Sequence, residues 1–225
     1  MQVRGKANPT AIYAVITADV VGSRRIAGFR KKRDSVLRAV SDAQAQQGLL
    51  LSPYTITVWD EFQAIMAAPD KFPRAVLDLR RQFYPMQLRI AIGIGEVTEP
   101  RKMPLNQFAG GAAFERARAA MDRIKVAKGN LQAAWTAVES GDSLLDLAAN
   151  AIYLLQDTLT SDLSAAQWKT SGLVAQLGSQ EKAARKLRVN ISTVSRALRR
   201  AHHRELEEST ESLAMFVRER FSLAQ

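Results

Sequence analysis

The chain has 225 residues, with 32 lysines and arginines against 22 aspartates and glutamates, no cysteine, and only two histidines, His202 and His203. That length suits one large domain or two modest ones. The absence of cysteine excludes disulfides, thiolate nucleophiles and cysteine-based zinc sites, and two adjacent histidines cannot build a multi-histidine metal centre. A hydrophobic fraction of 47% fits an ordinary globular core. No run approaches the roughly 18 apolar residues of a membrane span, and the opening MQVRGKANPT lacks the apolar core of a signal peptide. The expectation is a soluble, cytoplasmic protein with no membrane partner.

Residues 11–21, AIYAVITADVV, are apolar on both alternating faces, as a central strand buried on both sides requires. Gly22-Ser23 breaks the run, and 25–48 reads as a helix opened by the basic cluster Arg24, Arg25, Arg30, Lys31, Lys32 and Arg33. After Pro53, YTITVW (54–59) and FQAIMA (62–67) form a predicted hairpin with WDEF near its tip, although no Asn-Gly signal marks the turn. A helix is expected over 72–84, then a strand within MQLRIAIGIGEV (86–97). In that strand Leu88, Ile90, Ile92 and Ile94 share one face. Arg89, Ala91, Gly93 and Gly95 share the other, and its small side chains leave room for something to approach the backbone.

A loop containing Pro100, Pro104 and Gly110-Gly111 leads to a helix over 112–127 and a last strand at LQAAWTAV (131–138). The order βαββαβ, then αβ, predicts an α+β domain: an antiparallel or mixed sheet with helices on one side, a ferredoxin-like sandwich. From 141 onward only helical patterns remain, so a domain boundary is expected near 140. Asp142 or Ser143 caps a helix to about 159, and Ser161 or Asp162 caps the next.

Charge separates the chain differently. Residues 1–140 carry 21 basic and 12 acidic side chains, whereas 141–225 carry 11 and 10. Within the second part, 169–204 holds nine cations against Glu181 alone, a local excess of eight. Such clustering is the footprint of a nucleic-acid partner. The segment 179–203, SQEKAARKLRVNISTVSRALRRAHH, gives a short helix capped by Ser179 with Ala183, Ala184 and Leu187 packed, and a tight turn at Val189-Asn190-Ile191. A second helix follows, capped by Ser192, with Val194, Ala197, Leu198 and Ala201 inward and Thr193, Arg196, Arg199, Arg200 and His203 outward. Small residues where two helices cross and a hydrophilic second helix are what a helix-turn-helix needs.

The stretch resembles the helix-turn-helix of sigma-factor region 4, matched by Gln180, Ala183 or Ala184, Leu187, Val189, Asn190, Ser192, Val194, Ser195, Arg196 and Leu198. The geometry implied sets Ser192, Thr193, Arg196 and Arg200 against bases of double-stranded DNA. Arg199 joins them on the outer face, and Lys182, Arg185, Lys186 and Arg188 contact phosphates. Along 205–221, Leu206, Leu213, Phe216 or Val217, and Phe221 form an apolar stripe. It is either core or the contact of a homodimer that reads two half-sites.

In the first part three features recur together: Asp19 ending the first strand, Asp60 and Glu61 at the hairpin, and the glycine-thinned strand. Two carboxylates at strand ends can hold a divalent cation, which in turn takes nucleotide phosphates. The layout resembles the class III nucleotidyl cyclase and palm-type polymerase fold. Residues 11–127 resemble the SatD family more closely, through ADVVGSR at 18–24, DEFQ at 60–63, GIGE at 93–96 and GAAFERAR at 111–118. The cyclase resemblance implies Mg held by Asp19 and Asp60, with Ser23, Arg24, Glu61, Gly93 and Gly95 about a nucleotide. Against cyclisation, Glu115 and Ala119 stand where the cyclase pattern has Asn and Arg, and Trp59 replaces a small residue before Asp60. A hydrogen bond to the Gly22-Ser23 turn is the simpler role for Asp19, and turn chemistry the simpler role for Asp60 and Glu61. The expectation is a DNA-binding regulator whose first domain binds a nucleotide or dimerises; the alternative is a Mg-dependent nucleotidyl enzyme.

Overall fold

A computed structural model describes residues 11–98, 110–126 and 135–222. Among these are five strands and eight α-helices: β1 (Ile12–Val20), α1 (Phe29–Gln46), β2 (Leu50–Val58), β3 (Glu61–Met66), α2 (Phe72–Phe83), β4 (Leu88–Glu96), α3 (Ala112–Val126), β5 (Thr136–Glu139), α4 (Ser143–Thr160), α5 (Ala165–Leu177), α6 (Gln180–Leu187), α7 (Ile191–Arg200) and α8 (His203–Ser222). The sheet runs β2-β3-β1-β4-β5. Its pairings are antiparallel except β4 with β5. This is a mixed α+β architecture. None of the described helices is long and apolar enough to cross a membrane.

β1 lies at the centre because it is apolar on both faces, and both faces are covered. Ala14, Ile16, Ala18 and Val20, with Ile90, Ile92 and Ile94 of β4, join the main core with side chains from α1, α2, α4 and α8. On the other face Val15 and Ile65 pack against Ala113 and Ala117 of α3. The expectation of helices on one side is therefore corrected: the alternation that buries both faces of β1 demands a layer on each. The hairpin forms with Trp59 and Asp60 as its turn. β2 begins at Leu50, earlier than expected, and takes Pro53 inside it. A proline is tolerated there because β2 is an edge strand, and its pairing with β3 shifts register three times. Part of the expected last strand, 131–134, lies outside the described residues; the strand observed is 136–139.

The break expected near 140 is not a break in packing. Leu145, Ala149 and Tyr153 of α4, and Leu213 and Val217 of α8, belong to the main core. Asp157 of α4 is ion-paired with Arg80 of α2 and accepts from the backbone N–H groups of Trp135 and Thr136 at 2.8 and 3.0 Å. Burial nonetheless raises its carboxyl above the ordinary range. The α8 stripe is core, with Leu206, Leu213 and Val217 fully buried. What stands apart is α5–α7, whose Val174, Ala183, Ala184, Val194 and Leu198 form a small cluster of their own.

Three caps refine the expectations. Asp142 caps α4 by accepting from the N–H groups of Leu144 and Leu145. α5 is capped by Ser164, not Ser161 or Asp162, through a reciprocal box with Gln167. α7 is capped by Asn190, which accepts from the Ser192 N–H at 3.0 Å, so Ser192 lies inside the helix.

Candidate nucleic-acid interface and the carboxylate cluster

α6 is capped at its start by Ser179, whose hydroxyl accepts from the Lys182 N–H at 3.3 Å. Its C-cap is Arg188, in the left-handed conformation with φ 55°. That reversal lets the Val189 N–H reach the Ala184 carbonyl at 3.1 Å and turns the chain into α7. Ala183 and Ala184 are small enough for the two helices to approach, and Val194 and Leu198 fill the inner side. On the outside, Lys182, Arg185 and Lys186 of α6 and Ser192, Thr193, Arg196, Arg199 and Arg200 of α7 are all exposed. Arg196 is braced along its own helix, donating to the Ser192 carbonyl at 3.3 Å. Val189 and Ile191 are also exposed at the turn.

His203 was expected on this outer face and is not there. His202 takes φ 49°, so the chain breaks from α7 before α8 starts, and His203 no longer continues the α7 face. Its ring sits at the joint between α5–α7 and the body, with Nδ1 2.9 Å from Ser171 Oγ of α5. Arg81 of α2 donates to Ser171 Oγ at 3.1 Å and to Glu207 at 2.6 Å, and Arg74 donates to Glu207 at 2.8 Å. Burial depresses His203, and Arg81 and Arg74 add to that against the pull of Glu207. For Glu207, burial would raise the carboxyl, but Arg81 and Arg74 outweigh it and hold it low. Sequence reasoning missed Arg81, Ser171 and Glu207. They lie on three separate helices, and no local pattern singles them out.

At the sheet end, Asp19 stands opposite Glu61 on β3 and Arg89 on β4. Asp19 is buried, with Arg89 Nη1 at 3.4 Å and Lys125 Nζ of α3 at 3.1 Å; Lys125 also lies 3.8 Å from Glu61. Glu61 accepts from Thr57 Oγ1 at 3.1 Å. The carboxylate facing Asp19 is thus Glu61, not Asp60. Asp60 accepts a 2.6 Å hydrogen bond from Ser23 Oγ, the turn contact expected of Asp19. Arg24 is exposed on the short 3-10 turn Ser23–Arg25. Arg33 of the basic cluster is buried and donates to the Trp59 carbonyl, while Arg30 lies over the Trp59 ring at 4.1 Å.

The space over Gly93 and Gly95 is also taken. A Cβ on Gly93 would fall 1.9 Å from the Ala113 carbonyl oxygen, and one on Gly95 2.9 Å from the Arg116 guanidinium. Arg116 donates to the Ile94 carbonyl at 2.5 Å. What approaches the glycine backbone is α3, and the two glycines are corrected from a ligand surface to a helix seat. Two carboxylates beside two cations make a balanced ion-pair cluster, and among the described residues no three His, Cys, Asp or Glu side chains gather for a metal. These residues do not fit a divalent cation, which would have to displace both Arg89 and Lys125 from Asp19.

Fold and surface together define a mixed α+β protein from which a two-helix basic element projects. The SatD family model matches residues 13–220, and the chain belongs to the SatD family. No curated protein matches it.

Proposed function

We propose that this chain is a sequence-reading DNA-binding protein, a cytoplasmic transcriptional regulator, using α6 and α7 as a helix-turn-helix with α7 in the major groove. The observation that carries the reading is the division of α7. Val194 and Leu198 are buried, while Ser192, Thr193, Arg196, Arg199 and Arg200 are all exposed, in a segment with a local excess of eight positive charges. Arginine is suited to the paired acceptors of guanine, whereas Lys182, Arg185 and Lys186 on α6 suit phosphates, which carry no sequence information. The cyclase- or palm-like ancestry of the sheet belongs to the same proposal and supplies scaffold in it. The Mg-nucleotide enzyme lacks comparable support, since Asp19 is already neutralised and the glycine face is filled.

The test is binding to a duplex from the gene's own upstream region against an unrelated duplex, across a salt series. A preference of about 10³ or more at physiological salt is expected of a sequence reader. Arg196→Ala should cost about 1–3 kcal/mol on the specific duplex only, and Lys182→Ala should weaken both duplexes alike. Equal losses on both duplexes from both substitutions would overturn the base-contact role of Arg196. Absence of any preference in the unsubstituted protein would overturn the regulator.

A further inference from the structure

α4 carries two apolar faces, and the body uses one. Leu145, Ala149 and Tyr153 are buried, but on the far side Leu144, Leu147, Leu154 and Leu155 are 54%, 71%, 45% and 65% exposed. With exposed Ala151 and Thr158 they follow the helical repeat 144, 147, 151, 154, 155, 158, a continuous stripe along the helix. No charged side chain interrupts it. Asp146 accepts from Ser140, Asp157 is buried against Arg80, and these are the only acids on the helix. Single exposed leucines are ordinary, but four in one stripe amount to a patch on the order of 400 Å², a size that on a soluble chain is often functional.

We propose that this stripe is the surface on which the chain pairs with a second copy of itself, α4 against α4 in antiparallel fashion about a two-fold axis at Ala151. Three observations fix the occupant. The stripe is self-complementary under that operation: Leu147 meets the partner's Leu155, and Leu144 meets the partner's Thr158. The small Ala151 at the crossing lets the helix axes come within the usual 8–10 Å. The charge distribution also selects for self-pairing. In a chain of net charge +10, residues 129–168 contain no lysine or arginine, and the Arg123 that borders the stripe is paired with Glu139, so two copies can meet here with little opposing charge. Finally, the patch supplies about half of the roughly 800 Å² that each partner gives to a standard interface. The groove beside it, lined by Ser143, Asn150 and the Arg123–Glu139 ion pair, supplies a polar rim.

The pairing is independent of the DNA reading, and its test contains no DNA. Sedimentation equilibrium of the full chain from about 1 to 100 µM should give twice the 24.8 kDa chain mass at the upper end. The double variant Leu147→Glu/Leu155→Glu should give the chain mass throughout, with an unchanged circular dichroism spectrum because both side chains are exposed. Ala151→Leu, which widens the crossing, should raise the dissociation constant at least tenfold. An unsubstituted chain that stays monomeric at 100 µM, or a double variant that still dimerises, would overturn the proposal.

Discussion

Arg188 and His203 show how single residues at the edges of α7 set its presentation. A side chain in the left-handed region costs about 1–2 kcal/mol relative to glycine, and Arg188 holds that conformation at the turn between α6 and α7. Arg188→Gly should therefore raise the free energy of unfolding by about 1 kcal/mol, read from the urea midpoint. If the proposed DNA reading holds, it should also lower affinity for all duplexes alike, since it removes one exposed cation. An unchanged midpoint would mean that the residue is held there by something other than backbone geometry. His203 has the opposite character. Its ring is disfavoured from taking a proton in the folded chain, by burial first and by Arg81 and Arg74 second, whereas the unfolded residue protonates near 6.5. Below pH 6.5 the unfolded chain thus binds the extra proton, and the stability present at neutral pH is lost as pH falls through the folded value. His203→Gln should flatten the stability profile between about pH 7 and 5, and a profile as steep as the parent's would remove His203 as the cause.

At the scale of elements, the decisive fit is α3 on β4. The same substitution should act in opposite senses at two glycines. Gly93→Ala drives a methyl into the Ala113 carbonyl, backbone that cannot give way without moving α3, and should cost about 3 kcal/mol in thermal unfolding. Gly172→Ala, inside α5 with nothing nearer than 3.9 Å, should stabilise by about 1 kcal/mol through helix propensity. Two destabilisations of similar size would show that helix seating is not what distinguishes them. Elements were the most legible level of the sequence. The both-faced apolar run of β1, the β-branched β2 and the alternation in β4 specify strands that the fold contains. The glycine face of β4 was legible only as a vacancy, because a sequence shows that side chains are small and not what comes to lie over them. The caps at Ser164 and Asn190 were missed for a related reason: several Ser, Asp and Asn residues are chemically competent at each start, and the incoming chain direction chooses among them.

For the whole molecule, long-range pairing is what the sequence concealed. Asp19 and Asp60 were readable as acids at neighbouring strand ends. Their actual partners, Arg89, Lys125 and Ser23, depend on register and on a helix on the far face. The α8 stripe and the outer α4 stripe look alike in sequence, yet one is buried and the other exposed, since only the completed body determines which face it covers. The α6–turn–α7 pair itself follows from spacing within 25 residues and was readable without any of this. Its setting was not: α4 before α5–α7 and α8 after them are both built into the sheet body, so α5–α7 are spliced into the body as an excursion held at two roots. Synthesis runs through that excursion before the body can close, because Leu213 and Val217 are made after α7. A nascent or truncated chain lacking those residues has its basic helices in hand with a hydrophobic wound still open beneath them. The basic face of α6 and α7 is thus delivered only on a finished molecule, and loss of the last helix should lead to clearance of the chain, not to a freed basic fragment.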